Sequence, residues 1–301
     1  MASIILPTFE WTRSCAQLAH QIEAEDELLV VCDSEDDPVA STDLPDGAEL
    51  IVAGEPEGCS GKANAVAAAL ERASQDRIVL TDDDVDRNED WLATMKRLGE
   101  RHGAVTAIPV FTSDGYPFKL LEPLCLVAGS VVIAHSNWIP WGGGVTFDRR
   151  EIDEEGYVRN LRRTVSDDGL LAEYLDEVTA SRALVNEVQV PGGPRVTIER
   201  MTRFVKIFYR FDPARTLAAF GLVLAVLVVG LLFPVAVAVG VTALAFGCYR
   251  ALGVERSTWI FAVPSLLLTP LIGAVGLARR TFVWGGRRYY WPEKFDVRVI
   301  E

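Results

Sequence analysis

The stretch "LTDDDVDRNEDW", Leu80 to Trp91, runs an apolar segment straight into three adjacent carboxylates. Such a cluster repels itself and gains nothing by burial, so its place after the β-rich run "RIVL" asks for a function. Asp82 and Asp84, one residue apart, suit a divalent cation. Mg2+ and Mn2+ take hard oxygen ligands and usually keep substrate phosphates in their shell. A solvated acidic turn gives the same pattern in so acidic a chain. Two features count against that plainer reading. Asp33 stands at the end of another β-rich run, and "GKANAVAAAL" starts a helix carrying Lys62, whose charge suits a phosphate near the positive helix end. The latter is not a Walker A loop, because position 56 is Pro and Ala63 replaces Ser or Thr.

The elements that must position these residues follow from the pattern. "SIILP", "ELLVVC", "ELIVA", "RIVL" and "AVTAIPVF" read as strands, with helical patterns over 11–24, 60–74 and 88–101 between them. That alternation predicts an α/β domain with a mostly parallel sheet covered on both faces. In such sheets ligands bind outside the carboxyl ends of the strands, where both carboxylate groups fall. Residues 140–190 are more irregular: a Gly-rich "WGGGV", a charged helix near 149–163, then "SDDGLLAEYL" and a strand-like "ALVNEVQV".

The 301 residues carry a net charge of −13, which hides an asymmetry. Residues 1–198 hold 36 acidic and 16 basic side chains, whereas residues 199–301 hold 6 and 13. An acidic face of that size repels DNA and RNA, so nucleic-acid binding is not expected. Arg far outnumbers Lys, and surface acid is dense in "EAEDE" and "DSEDD". That composition suits a halophilic, high-salt cytoplasm, where carboxylates hold hydration and salt screens their repulsion. Five scattered cysteines form no CxxC pair and read as reduced apolar residues. "MASIILPTFE" lacks the basic start of a signal peptide, which places the catalytic part in the cytoplasm.

Over 199–214, "ERMTRFVKIFYRF" puts Met201, Phe204, Val205 and Phe208 on one helical face beside Arg203, Lys206 and Arg210. A basic amphipathic helix before an apolar segment reads as lying on a membrane surface. Residues 215–280 then hold long apolar runs, split near Pro234, that read as two or three transmembrane helices. Arg203, Lys206, Arg210 and Arg215 precede them, and Arg279, Arg280, Arg287 and Arg288 follow. Positive residues stay inside, so both ends, including the tail 281–301, are expected in the cytoplasm, with an even number of crossings.

In order, "SIILPTFEW", "LLVVCDSEDD", "GKANAV", "LTDDDV", "WGGGVTFDRRE", "SDDGLLAEYL", "RMTRF" and "WGGRRYYW" resemble the family 2 glycosyltransferases with the GT-A fold. The likeness is nearest to the membrane-bound subgroup that includes ceramide glucosyltransferase and the polysaccharide synthases. It implies that Pro7, Thr8 and Glu10 contact the nucleotide and that Asp33 binds a uracil ring. It further implies that Asp82 and Asp84 form the DxD pair holding Mg2+ or Mn2+ and the diphosphate, and that Asp168 is the general base. Arg200, Arg203 and Phe204 resemble the (Q/R)xxRW motif, with Phe in place of Trp, and Trp284, Arg287, Arg288 and Tyr289 resemble a C-terminal "WRGRRY" segment. The implied activity is inverting, metal-dependent transfer from a nucleotide sugar, UDP-linked by implication, to a lipid at the cytoplasmic membrane face. A processive polysaccharide synthase and a non-catalytic membrane scaffold are the alternatives.

Overall fold

The computed structural model describes residues 1–300. The chain divides into two compact units, one of Met1–Pro109, Ile133–Val188 and the tail from Trp291, the other of Val110–Val132 and Gln189–Tyr290. The tail joins the first unit through an ion pair between Lys294 and Glu173 and through Arg163, whose guanidinium lies 5.5 Å from the Phe295 ring.

The chain begins β1 (Ser3–Pro7), α1 (Arg13–Ala19), β2 (Glu27–Cys32), β3 (Ala48–Val52), α2 (Gly61–Leu70), β4 (Arg77–Thr81), α3 (Trp91–His102) and β5 (Val105–Thr112). It continues through α4 (Phe118–Cys125), α5 (Val131–His135), β6 (Gly144–Asp148), α6 (Glu154–Leu161), α7 (Asp167–Leu171) and β7 (Thr179–Gln189). The seven strands form one mixed, mostly parallel sheet in the order β3-β2-β1-β4-β6-β5-β7. Ile4, Ile5 and Leu6 of β1 and Leu28 to Val31 of β2 are buried, as continuous apolar runs of a covered parallel sheet should be. Small side chains let α2 lie close on the sheet: Ala63, Ala65, Ala67 and Ala69 are all buried.

One strand escapes the sequence pattern. β6 runs antiparallel to both β4 and β5, and its start is hidden in the glycines of "WGGGV". Its direction matters, because Gly144 pairs with Thr81. The start of β6 thus lies at the same sheet end as the carboxyl end of β4. There the parallel neighbours β2, β1 and β4 also end, bringing Asp33, Thr8 and Asp82 to one edge.

The second unit is helical: α8 (Pro194–Phe211), α9 (Pro213–Leu232), α10 (Pro234–Ala251) and α11 (Ala262–Ala278), followed by β8 (Thr281–Trp284) and β9 (Arg287–Glu293), with β10 (Asp296–Val299) in the tail. Pro234 at the first turn of α10 sets the break from α9, since it supplies no N–H to continue the helix. Four helices are long and apolar enough to cross a bilayer: Pro213–Leu232, Pro234–Ala251, Thr258–Ala278 and Phe118–His135. The first three match the apolar region read from sequence. The fourth lies in a stretch assigned there to the catalytic domain, and Lys119 and Glu122 interrupt its apolar signal. α9 buries no residue and α10 buries only Ala245 and Tyr249. By contrast, the apolar face of α8 is largely covered by protein. Gly276 of α11 admits the Val205 side chain so closely that a Cβ there would lie 2.7 Å from it, while Phe208 stays exposed.

Glu122, 2% exposed on α4, fixes the loop between α10 and α11. Its carboxylate accepts from Ser113 N (2.8 Å), the Thr258 hydroxyl (2.5 Å) and Arg256 Nη2 (3.1 Å) and Nε (3.2 Å). Breaking a buried pair strands its partner. Glu122→Ala should cost about 3 kcal/mol, seen as a lowered thermal midpoint in detergent. The double replacement Glu122→Met with Arg256→Met should recover much of that loss, and no recovery would mean that the pair is not what holds the loop.

Candidate active site

The acidic loop after β4 is built from below. Thr8, at the end of β1, places its hydroxyl 2.6 Å from the Glu10 carbonyl and 2.7 Å from Asp83 Oδ2. Thr12 donates to the Asp83 carbonyl at 2.6 Å. The middle aspartate of the trio therefore turns back toward β1, and burial pushes its carboxyl up to about 6, against the Thr8 hydrogen bond. Asp82 and Asp84 are left for other partners. Of the expected nucleotide contacts, Thr8 is buried and braces this loop, Pro7 ends β1 opposite Val31, and Glu10 is exposed.

Arg87 is the residue that sequence reasoning missed. Its buried guanidinium donates to Thr81 Oγ1 (2.5 Å), the Asp82 carbonyl, Val85 O (3.1 Å) and Ser14 O (3.0 Å). It lies 5.2 Å from the Trp91 ring centroid, and Trp91 Nε1 donates to Asn186 Oδ1 at 2.9 Å. Burial lowers Arg87 to about 10 even with Asp82, Asp84 and Asp83 nearby, and it stays charged at neutral pH. The one available signal was a single cation among the acids of "DDDVDRNED".

Lys62 supplies the second counter-charge. Ser60 caps α2, accepting from Ala63 N at 3.0 Å and donating to Val165 O at 2.7 Å, which ties α2 to the start of α7. Lys62 Nζ then lies 2.6 Å from Asp82 Oδ1 and 3.3 Å from Asp167 Oδ2. Burial alone would lower the ammonium, but Asp167, Asp82 and Asp168 outweigh it and hold Lys62 above the ordinary lysine value. Burial in turn raises the Asp167 carboxyl to about 6, although Lys62 opposes the shift.

Asp167 and Asp168 therefore differ. Asp167 is 2% exposed and faces Lys62. Asp168 is half-exposed, with Oδ1 accepting from the Ser166 hydroxyl and from Gly169 N (2.7 Å) and Oδ2 lying 3.3 Å from Gly142 N. Gly142 is a glycine by necessity: a Cβ there would collide with Asp167 Oδ2 and stand 2.9 Å from Lys62 Nζ. The contact accounts for the first glycine of "WGGGV".

Asp33 follows β2, where Asp37 Oδ2 accepts from Asp33 N (2.9 Å) and Ser34 N (3.0 Å) and shapes the loop. Arg200, Arg203 and Phe204 lie on α8 in the helical unit. Arg203 stacks on Trp284, its guanidinium carbon 4.0 Å from the ring centroid, and Phe204 meets Phe111 at 5.4 Å. The "RMTRF" and "WGGRRYYW" motifs thus meet in space. Gly285 (φ 55°) and Gly286 (φ 77°) make the two-residue turn between β8 and β9, whose positive angles favour glycine. Arg287 and Arg288 then pair with Trp284 and Val283 across the hairpin.

Among the described residues, no three His, Cys, Asp or Glu groups gather as a ready-made metal cluster. Asp82 and Asp84 offer two hard-oxygen side chains beside Lys62, with Asp84 exposed. That donor set fits Mg2+ or Mn2+ completed by phosphate oxygens and water, not an all-protein cage.

The family model described as glycosyl transferase family 21 matches residues 24–290. No curated protein matches the sequence. Among solved structures, glucosyl-3-phosphoglycerate synthase from Mycobacterium tuberculosis in complex with phosphoglyceric acid is similar at 15% identity, over 69% of this chain and 79% of that one, with a TM-score of 0.39. The same enzyme in complex with Mn2+ and uridine-diphosphate-glucose gives 15% identity, 69% and 78% coverage and a TM-score of 0.39. A mycobacterial protein gives 16% identity, 67% and 74% coverage and 0.37. The family match spans most of the chain, which is a glycosyltransferase and belongs to glycosyl transferase family 21.

Proposed function

We propose that this glycosyltransferase moves a sugar from a nucleotide diphosphate donor to a lipid acceptor at the cytoplasmic membrane face, with inversion, through a GT-A-type sheet unit. The observation that carries the reading is the junction of Asp82, Lys62 and Asp167 at one sheet end, with half-exposed Asp168 beside it. Asp82 and Asp84 would hold Mg2+ or Mn2+, which when bound stabilises negative charge on diphosphate oxygens. Lys62 and Arg87 offset the remaining carboxylate charge and keep the loop in place. Asp168 takes the proton of the acceptor hydroxyl as that oxygen attacks the anomeric carbon. Membranes containing the protein should release UDP from UDP-glucose only when a lipid acceptor fraction is present. Release at the same rate without lipid, or no release with any nucleotide sugar, would overturn the proposal.

Connectivity supports one reading of the membrane topology. The chain leaves the sheet unit at Val188 and returns at Trp291, so any full crossings between them are even in number. It also leaves at Pro109 and returns at Ile133, so Phe118–His135 is not a single full crossing. Arg256, in the α10–α11 loop, bonds to Ser113 O (3.0 Å) and Asp114 Oδ1 (3.3 Å), within five residues of Pro109. This supports α9 leaving the cytoplasmic face, α10 returning to it, and α11 staying on that side. A cysteine placed at Gly253 in sealed vesicles should react with impermeant maleimide only from the cytoplasmic side. Reaction only from the opposite side would reverse the assignment.

A further inference from the structure

α8 and the end of α11 enclose a cavity of about 180 Å3 lined by Lys206, Tyr209, Arg210 and Leu277. Lys206 is only 6% exposed, yet no carboxylate lies within ion-pair distance of it among the described residues. The charges that act on it are those of Arg210 and Arg279. Burial lowers the ammonium, and Arg210 and Arg279 lower it further. Arg279 itself is engaged by Glu199 at 2.6 Å. A buried lysine with no carboxylate of its own is unfavourable unless an anion completes it.

The surroundings indicate which anion. Leu267, Leu271 and Leu277 of α11 are exposed, as is most of α9. This apolar surface gives way at the cavity to Tyr209 and Arg210, and α11 is followed at once by Arg279 and Arg280. That succession of apolar surface, tyrosine and cations matches the boundary between acyl chains and headgroups. We propose that the cavity binds the phosphate of an anionic phospholipid, with Lys206 and Arg210 as its charge partners. The proposal rests on the reading that α9 and α10 cross the bilayer and that α11 dips into it from the cytoplasmic side without crossing.

The test uses the full chain in a non-ionic detergent and dihexanoyl-phosphatidylglycerol below its micellar concentration. The lipid should raise the thermal midpoint by a few degrees, whereas dihexanoyl-phosphatidylcholine and equimolar inorganic phosphate should not. Lys206→Met and Leu277→Trp, the second filling the cavity with every charge kept, should each abolish the shift. Arg280→Met, at an exposed position just past α11, should preserve it. An equal shift with inorganic phosphate would make this a free-phosphate site and overturn the lipid assignment. So would an undiminished shift in Leu277→Trp, or equal losses in Lys206→Met and Arg280→Met, which would mean diffuse attraction. Flotation of the wild type with phosphatidylcholine vesicles checks bilayer entry separately, so failure of that premise is distinguishable from failure of the pocket.

Discussion

Asp168→Asn should lower sugar transfer at least ~10²-fold, the usual scale of general-base catalysis, with nucleotide-sugar affinity and folding little changed. The prediction rests on the different surroundings of two adjacent acids. Asp167 is buried against Lys62 and cannot meet an acceptor hydroxyl without leaving that pair. Asp168 is half-exposed, and its Oδ2 has only the 3.3 Å approach of Gly142 N. Capping gives a plainer role for an acid here, worth about 1 kcal/mol at a helix start. Yet Ser166 already caps α7, accepting from Gly169 N at 3.1 Å. Asp167→Asn should show the reverse pattern. It removes the Coulombic partner of Lys62, so the thermal midpoint should shift while transfer falls less than about tenfold. Transfer rate and UDP affinity measured together in detergent separate the two. If Asp168→Asn keeps more than a tenth of wild-type turnover, or Asp167 proves the essential acid, the base is misassigned.

Much of this site was legible because its parts are local. "RIVLTDDD" states both a buried strand and the acids at its end, and "SGKANAV" states a capped helix carrying a lysine. Alternation of strands and helices then places both at a sheet edge. What was not legible depends on long-range pairing. Nothing in "DDD" says that Asp83 turns inward, because its partner Thr8 lies 75 residues away on an adjacent strand. Likewise, nothing in "SGKANAV" says that Lys62 pairs with Asp82 and Asp167, an arrangement set by how α2 and α7 are tied through Ser60. β6 was hidden because it starts at Gly144, where a Cβ would lie 2.8 Å from Ala107 Cβ, a long-range contact that strand propensity does not register. The helix Phe118–His135 was hidden because Glu122 and Lys119 dilute its apolar run, and only the Arg256 partnership explains an acid there. The motif order pointed to glycosyltransferase chemistry, and the family that matches is glycosyl transferase family 21.

The three aspartates of the opening stretch should separate sharply. Chelation should abolish transfer, with Mg2+ or Mn2+ restoring it, because Asp82 and Asp84 repel a diphosphate unless a cation lies between. Asp82→Asn and Asp84→Asn should each lower transfer by ~10²-fold or more, on the scale of lost transition-state charge stabilisation. Asp83→Asn should be mild in transfer, since its carboxyl faces Thr8 and not the ligand side. Its effect belongs to stability, and the sign follows from its shift. Burial raises the folded carboxyl from 3.8 to about 6, so the stability tied to its proton is fully present below pH 3.8 and lost as pH rises through about 6. An asparagine keeps the hydrogen-bonding shape without the charge. The thermal midpoint of Asp83→Asn should therefore fall less than that of wild type between pH 5 and pH 7.5. Transfer rates for the three variants, with unfolding midpoints for Asp83→Asn across that range, provide the measurement. Full activity in EDTA would remove the metal from the reading, and loss of transfer in Asp83→Asn equal to that in Asp82→Asn would mean that the loop presents a different pair of carboxylates to the substrate.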